Sequence, residues 1–131
     1  MNIPAQTVKS LLSQANVKSK FEEILRDRAN AFTANLAVMV NNNAALSKCD
    51  PMTVISAAVV AASLDLPIDP NLGFAHIVPY GEKAQFQIGF KGFIQLAMRS
   101  GQYSRIGVTE IYDGQLIDEN PLTGEYVFDF K

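Results

Sequence analysis

Apolar residues recur along the first part of the chain at the three-and-four spacing of helices. Val8, Leu11, Leu12 and Ala15, following Pro4, predict a short amphipathic helix, because proline suits the first helical position. Phe21, Leu25, Phe32, Leu36 and Met39 extend the spacing and predict one long helix. Its start is expected at Ser19, which stands three residues before Glu22 in the pattern of a capping box. Its end is expected at Asn41-Asn42-Asn43, and Arg28, which falls within the apolar stripe, is expected to be paired or to lie at its margin. Asp50-Pro51 marks another helix start, since aspartate caps free N–H groups and proline tolerates the first turn. Met52 to Leu64 then forms a helix whose small residues, Ala57, Ala58, Ala61 and Ala62, let neighbours approach closely on most sides.

After Leu64 the period changes. Two prolines and a glycine in Leu66-Pro67-Ile68-Asp69-Pro70-Asn71-Leu72-Gly73 exclude regular helix and predict an ordered loop. A hairpin follows, with strands Phe74 to Tyr80 and Ala84 to Phe90 around a turn at Gly81-Glu82-Lys83. Ala84, Phe86, Ile88 and Phe90 alternate with Gln85, Gln87, Gly89 and Lys91, so one face is apolar and the other polar. Lys91 to Ser100 reads as a helix closed by Gly101. Lys91, Gln95, Arg99 and Gln102 share its polar stripe, and Phe93, Ile94, Leu96 and Ala97 lie opposite. A strand is expected at Ile106 to Tyr112, a turn at Asp113-Gly114, another turn at Asn120 to Gly124, and a last strand through Tyr126, Phe128 and Phe130. The pattern is α+β: helices on a small antiparallel sheet, with a central β-hairpin followed by a helix. One domain is expected over residues 1–131, with a helical part at 1–48 and the remainder at 49–131. Because the chain ends within a predicted strand, a longer parent chain is expected.

Composition narrows the function. The net charge of −2 argues by itself against nucleic acid, but its distribution is uneven. Residues 1–49 carry six basic and three acidic side chains, and residues 50–81 carry three acids and no Lys or Arg. Residues 82–105 carry Lys83, Lys91, Arg99 and Arg105 against Glu82, net +3, whereas residues 106–131 carry six acids against Lys131, net −5. No apolar run approaches the roughly 20 residues of a membrane span, and no leader pattern opens the chain. A single cysteine, Cys49, permits no internal disulfide and suits a cytoplasmic setting.

Several chemistries lack their residues. No Gly-rich phosphate loop ends in Gly-Lys-Ser or Gly-Lys-Thr. One His and one Cys cannot supply four side-chain ligands to zinc. Asp65, Asp69 and His76 leave open a metal-dependent enzyme, although a helix end, a turn and a packed strand are the favoured explanation of them. The long helices with a sheet leave open a purely structural oligomerisation module.

Binding an extended nucleic acid needs cations, N–H groups at helix starts and flat side chains for stacking. The stretch from Gln85 to Arg105 has all three. Gly89-Phe90-Lys91-Gly92 forms a strand-to-helix junction, Arg99 lies two turns on, and Tyr103 and Arg105 follow. Gln85 and Gln87 occupy the polar face of the hairpin, with Lys83 beside them.

The run from Cys49-Asp50-Pro51-Met52 through Leu64 to Ala75 closely resembles the RecT family of phage single-strand annealing recombinases. So do Ile77-Val78-Pro79-Tyr80-Gly81, Ala84 to Gly92, and Ala97-Met98-Arg99-Ser100-Gly101-Gln102-Tyr103. Together they form a nearly unbroken signature over about half the chain. Phe21 to Val40 and Val108 to Gly114 fit more loosely, and His76 stands where an aromatic such as tyrosine is expected. The resemblance implies ATP-independent, non-catalytic binding of single-stranded DNA and annealing of complementary strands, with no cofactor. It also implies a homo-oligomer (ring or helical filament) on single strands and annealed duplex, a partner phage exonuclease, and the cytoplasm of a bacterial host. Lys83, Gln85, Gln87, Gly89, Lys91, Gly92, Arg99, Tyr103 and Arg105 are the expected DNA-binding residues.

Overall fold

The computed structural model describes residues 6–131, so the helix start expected at Pro4 lies outside the described residues. The elements are α1 (Val8–Leu12), α2 (Ala15–Leu25), a 3₁₀ turn (Arg26–Arg28), α3 (Ala29–Asn42), α4 (Ala44–Ser47) and α5 (Pro51–Ser63). They are followed by β1 (Ala75–Tyr80), β2 (Lys83–Ile88), α6 (Phe90–Arg99), β3 (Leu116–Asn120) and β4 (Glu125–Phe128). The class is α+β, as expected.

The core forms around α5. Asp50 caps it through Met52 N–H, at 3.0 Å, with Pro51 in the first turn. Val54, Ile55, Ala57, Ala58, Ala61 and Ala62 are all buried. Such burial on both sides needs the small residues, which let α1 and α2 approach one flank while the β1–β2 hairpin lies on another. Two hydrogen bonds fasten the hairpin to the start of α5. Asp50 N–H donates to the Glu82 carbonyl at 2.6 Å, and Ala84 N–H donates to Thr53 Oγ1 at 2.9 Å.

The N-terminal helices differ from expectation in three places. The capping box is at Thr7 and Ser10, where Ser10 N–H donates to Thr7 Oγ1 and Thr7 N–H to Ser10 Oγ. Ser19 and Glu22 instead lie inside α2, where the same spacing simply places two polar residues on a helix. The long helix is two helices, broken where Arg26 takes φ 55°. The apolar spacing survives the break because Phe21 and Phe32 still meet, with ring centroids 5.7 Å apart. Asn43 does more than end α3: its side chain accepts from Ala45 and Leu46 N–H, both at 3.1 Å, and starts α4.

β1 and β2 pair antiparallel, Ala75 with Ile88 through Tyr80 with Lys83, so the turn is the two residues Gly81-Glu82 and Lys83 is already in the strand. Ala75, Ile77 and Ala84 are buried on the core face. Past α6 no strand forms at Ile106 to Tyr112. The strand partner of β4 is β3, which starts at Leu116, beyond the Asp113-Gly114 turn.

α6 is oriented contrary to its amphipathic pattern. The residue it buries is Gly92, with Leu96 half-buried, whereas Phe90, Phe93, Ile94 and Met98 are exposed. Its small and polar side meets the body, and most of its apolar side faces outward.

Candidate nucleic-acid interface

The sequence-predicted residues occupy three neighbouring parts of the chain. The outer face of the β1–β2 hairpin carries Lys83, Gln85 and Gln87, all exposed, opposite Tyr80, Val78 and His76. Gln87 Nε2–H donates to the Tyr80 hydroxyl at 2.8 Å, which draws the tyrosine along this face. Tyr80, half exposed, is a flat side chain among polar ones and therefore suited to stacking a base. Sequence reasoning treated it only as a strand residue. The alternation that placed Gln85 and Gln87 outside also placed Tyr80 there, so the signal was available.

The second part is the strand-to-helix junction. Gly89 stands at the N-cap position of α6, and no side chain caps the start. First-turn N–H groups lack helical partners, and the helix dipole favours negative charge there. The Lys91 stem lies beside Gly73: a Cβ on that glycine would be 3.6 Å from Lys91 Cδ. The glycines themselves serve packing. A Cβ at Gly89 would collide with the Gly73 carbonyl, and one at Gly92 with the Phe74 carbonyl. Gly89 N–H also donates to Phe74 O at 2.9 Å. Glycine at both sites thus lets α6 start directly against the loop backbone. The third part is the exposed segment after α6, with Tyr103 and Arg105.

Arg99 is engaged differently from the lysines. α5 ends with Asp65 in the left-handed region, φ 51°, and Leu66 N–H bonds back to the Ala61 carbonyl at 3.0 Å. The carbonyls of Leu64 and Asp65 accept from the Arg99 guanidinium, both at 2.7 Å. The Asp65 carboxylate accepts from Arg28 Nη1 at 2.6 Å, so Arg28 is paired, one of its two expected states. That hydrogen bond, with the charge of Asp65, raises the guanidinium pKa above its ordinary value. Arg28, Arg99 and Gln95 line a cleft of about 510 Å³, with Phe32 and Phe74 on its walls. By contrast, Lys83, Lys91 and Arg105 make no ion pair among the described residues.

Arg99→Ala is therefore expected to destabilise the fold by about 1–3 kcal/mol, since it removes hydrogen bonds from a charged donor. Lys91→Ala should stay within about 0.5 kcal/mol of the parent. Chemical denaturation of both variants measures the difference, and equal stabilities would mean that Arg99 does not hold the end of α5.

The residues offered for a metal site do not converge. Asp65 pairs with Arg28, Asp69 accepts from the backbone and side-chain N–H groups of Asn71, and His76 lies across from Gln87 on the hairpin. No group of three His, Cys, Asp or Glu residues suited to a metal occurs among the described residues.

The hairpin, the junction and α6 fall within a match to the model of the RecT family over residues 30–131. The chain belongs to the RecT family. It is 54% identical to the protein YqaK of Bacillus subtilis (strain 168) over 134 aligned residues, covering 99% of this chain and 47% of YqaK. It is 36% identical to Protein RecT of Escherichia coli (strain K12) over 78 residues, covering 53% of this chain and 29% of that protein. The chain thus spans less than half the length of either relative. No helix among the described residues is long and apolar enough to cross a membrane.

Proposed function

We propose that this RecT-family chain binds single-stranded DNA and anneals complementary strands, without catalysis and without ATP. The observation that carries this reading is the family match over residues 30–131, which contains every exposed cation of the hairpin and the α6 junction. Lys83, Lys91 and Arg105 bind phosphates by charge, and Gln85 and Gln87 hydrogen-bond the strand. Tyr80 and Tyr103 stack bases in a way that tolerates any sequence. Base edges stay open to a complementary strand, so Watson–Crick pairing supplies specificity while the protein holds the backbone. The working form is a homo-oligomer, ring or helical filament, acting on tails made by a phage exonuclease in the cytoplasm of a bacterial host.

The test mixes two complementary labelled oligonucleotides with the protein, with and without ATP, in the presence of a chelator. Duplex formation faster than the spontaneous rate under every condition is expected. Strict dependence on ATP or on a metal would overturn the reading. Oligomers that neither bind DNA nor accelerate annealing would instead favour a structural module.

A further inference from the structure

α3 and α6 both contribute walls to the cleft of about 510 Å³. Its size falls within the roughly 300–1,000 Å³ of small-ligand sites. The α6 wall is held in place beforehand. Arg99 is bonded to the Leu64 and Asp65 carbonyls, and Gly92 is seated against the Phe74 carbonyl. Gln95 stands one turn before Arg99 on the same stripe, so its backbone is fixed with that wall. On α3, Asn35 follows Phe32 by three residues, which puts ring and amide on one face.

The lining selects a kind of ligand. Its two cations, Arg28 and Arg99, are balanced by two acids, Asp65 and Asp69, so it carries no net charge and offers little hold on a phosphate chain. Phe32 and Phe74 supply flat, half-buried rings. Asn35 and Gln95 supply side-chain amides, and neither amide has a hydrogen-bond partner among the described residues. An amide sets a donor beside an acceptor, which matches the edge of a nucleobase, while an aromatic ring takes its face. Neutral charge, rings and unpaired amides together suit a base and not a phosphate.

Lys91 lies on the same α6 stripe, one helical turn of about 5.4 Å before Gln95. A strand with a phosphate at Lys91 therefore has a base beside the cleft. We propose that the cleft receives one base of the bound single strand, turned away from its neighbours. Asn35 and Gln95 meet its edge, and Phe32 or Phe74 its face. Turning out a base costs least in a single strand, where no pair is broken. This rests on the proposed function and deepens it: the exposed cations hold the backbone, and the cleft holds a base.

Fluorescence anisotropy on the full 131-residue chain tests it. Affinity is measured for a mixed-sequence single strand and for a strand of equal length that carries no bases. Their ratio isolates what the bases contribute. Asn35→Ala with Gln95→Ala should lower that ratio by at least about fivefold, as expected for loss of one or two hydrogen bonds. The slope of log affinity against log salt should match the parent, because no phosphate contact is lost. Both positions are exposed, so the variant should melt like the parent. Asn41→Ala with Gln102→Ala removes two exposed amides outside the cleft and should leave the ratio unchanged. Adenosine at millimolar concentration distinguishes the source of the base. Competition by it would show a slot that also takes free nucleosides, and no competition would show one filled only from the strand; either upholds the slot. A ratio unchanged in the cleft variant, or lowered equally by the control, would overturn the inference. So would a shallower salt slope with the ratio intact, which would put phosphates on the amides. A parent that binds the two strands equally and still anneals DNA would sink the slot alone, whereas failure to bind either strand would sink the proposed function.

Discussion

Gly92→Ala is expected to destabilise the protein by about 3 kcal/mol, at the upper end of the cost of overfilling a packed site. For a chain of this length that is a fall in melting temperature on the order of 10 °C. The added methyl would fall well inside contact distance of the Phe74 carbonyl oxygen and 2.8 Å from Ile88 Cγ1. Neither neighbour can swing away: one is backbone and the other a β-branched side chain in a paired strand. The first turn of α6 must therefore lift from the loop before β1. Gly107→Ala, with open space around it, is the control and should melt like the parent. Gly92→Val should be worse than the alanine. If Gly92→Val melts like the parent and anneals DNA normally, α6 is not seated against Phe74, and the junction geometry is wrong.

The reach of sequence reasoning here depended on whether the determining contact was local. Asp50-Pro51 located α5 because the cap and the proline act within one turn. The alternation Gln85, Phe86, Gln87, Ile88 located β2 and its polar face because one face meets the core and one meets water. The break at Arg26–Arg28 was hidden: a non-glycine residue takes the positive φ, and the apolar spacing keeps its phase through the turn. The orientation of α6 was hidden for a different reason. Hydrophobic periodicity shows that a helix has two faces, but which face meets this body was decided by Gly92 against Phe74 and by Arg99 at the end of α5. Both contacts bridge distant parts of the sequence. The candidate site was legible as a set of residue types, and its division was not. Lys91 and Arg99 share a stripe in the sequence, yet among the described residues the Lys91 ammonium has no hydrogen-bond partner while the Arg99 guanidinium caps the end of α5.

That division determines how a charge-removal experiment should be built. Among the described residues Lys83, Lys91 and Arg105 are the cations of the basic stretch whose side chains make neither an ion pair nor a hydrogen bond, and Arg99 is excluded because its bonds to the Leu64 and Asp65 carbonyls mean that its loss also weakens the fold. A triple variant, Lys83→Ala with Lys91→Ala and Arg105→Ala, should keep its stability within about 0.5 kcal/mol per site of the parent. Its slope of log affinity for single-stranded DNA against log salt should be shallower by roughly 2, since three phosphate contacts contribute about 0.7 each. The loss should be uniform across DNA sequences, because phosphate contacts carry no base information. It should also be smaller at low salt for annealing of complementary oligonucleotides, where the remaining charges act over a longer screening length. A protein of net charge −2 holds a polyanion only where its cations are gathered, so removing three of the four in residues 82–105 should be felt strongly. Measuring affinity by fluorescence anisotropy over a salt series separates the outcomes. An unchanged slope would move the DNA path from the hairpin face to the cleft lined by Arg28, Gln95 and Arg99. There Arg28→Ala, rather than Lys91→Ala, would then lower the slope.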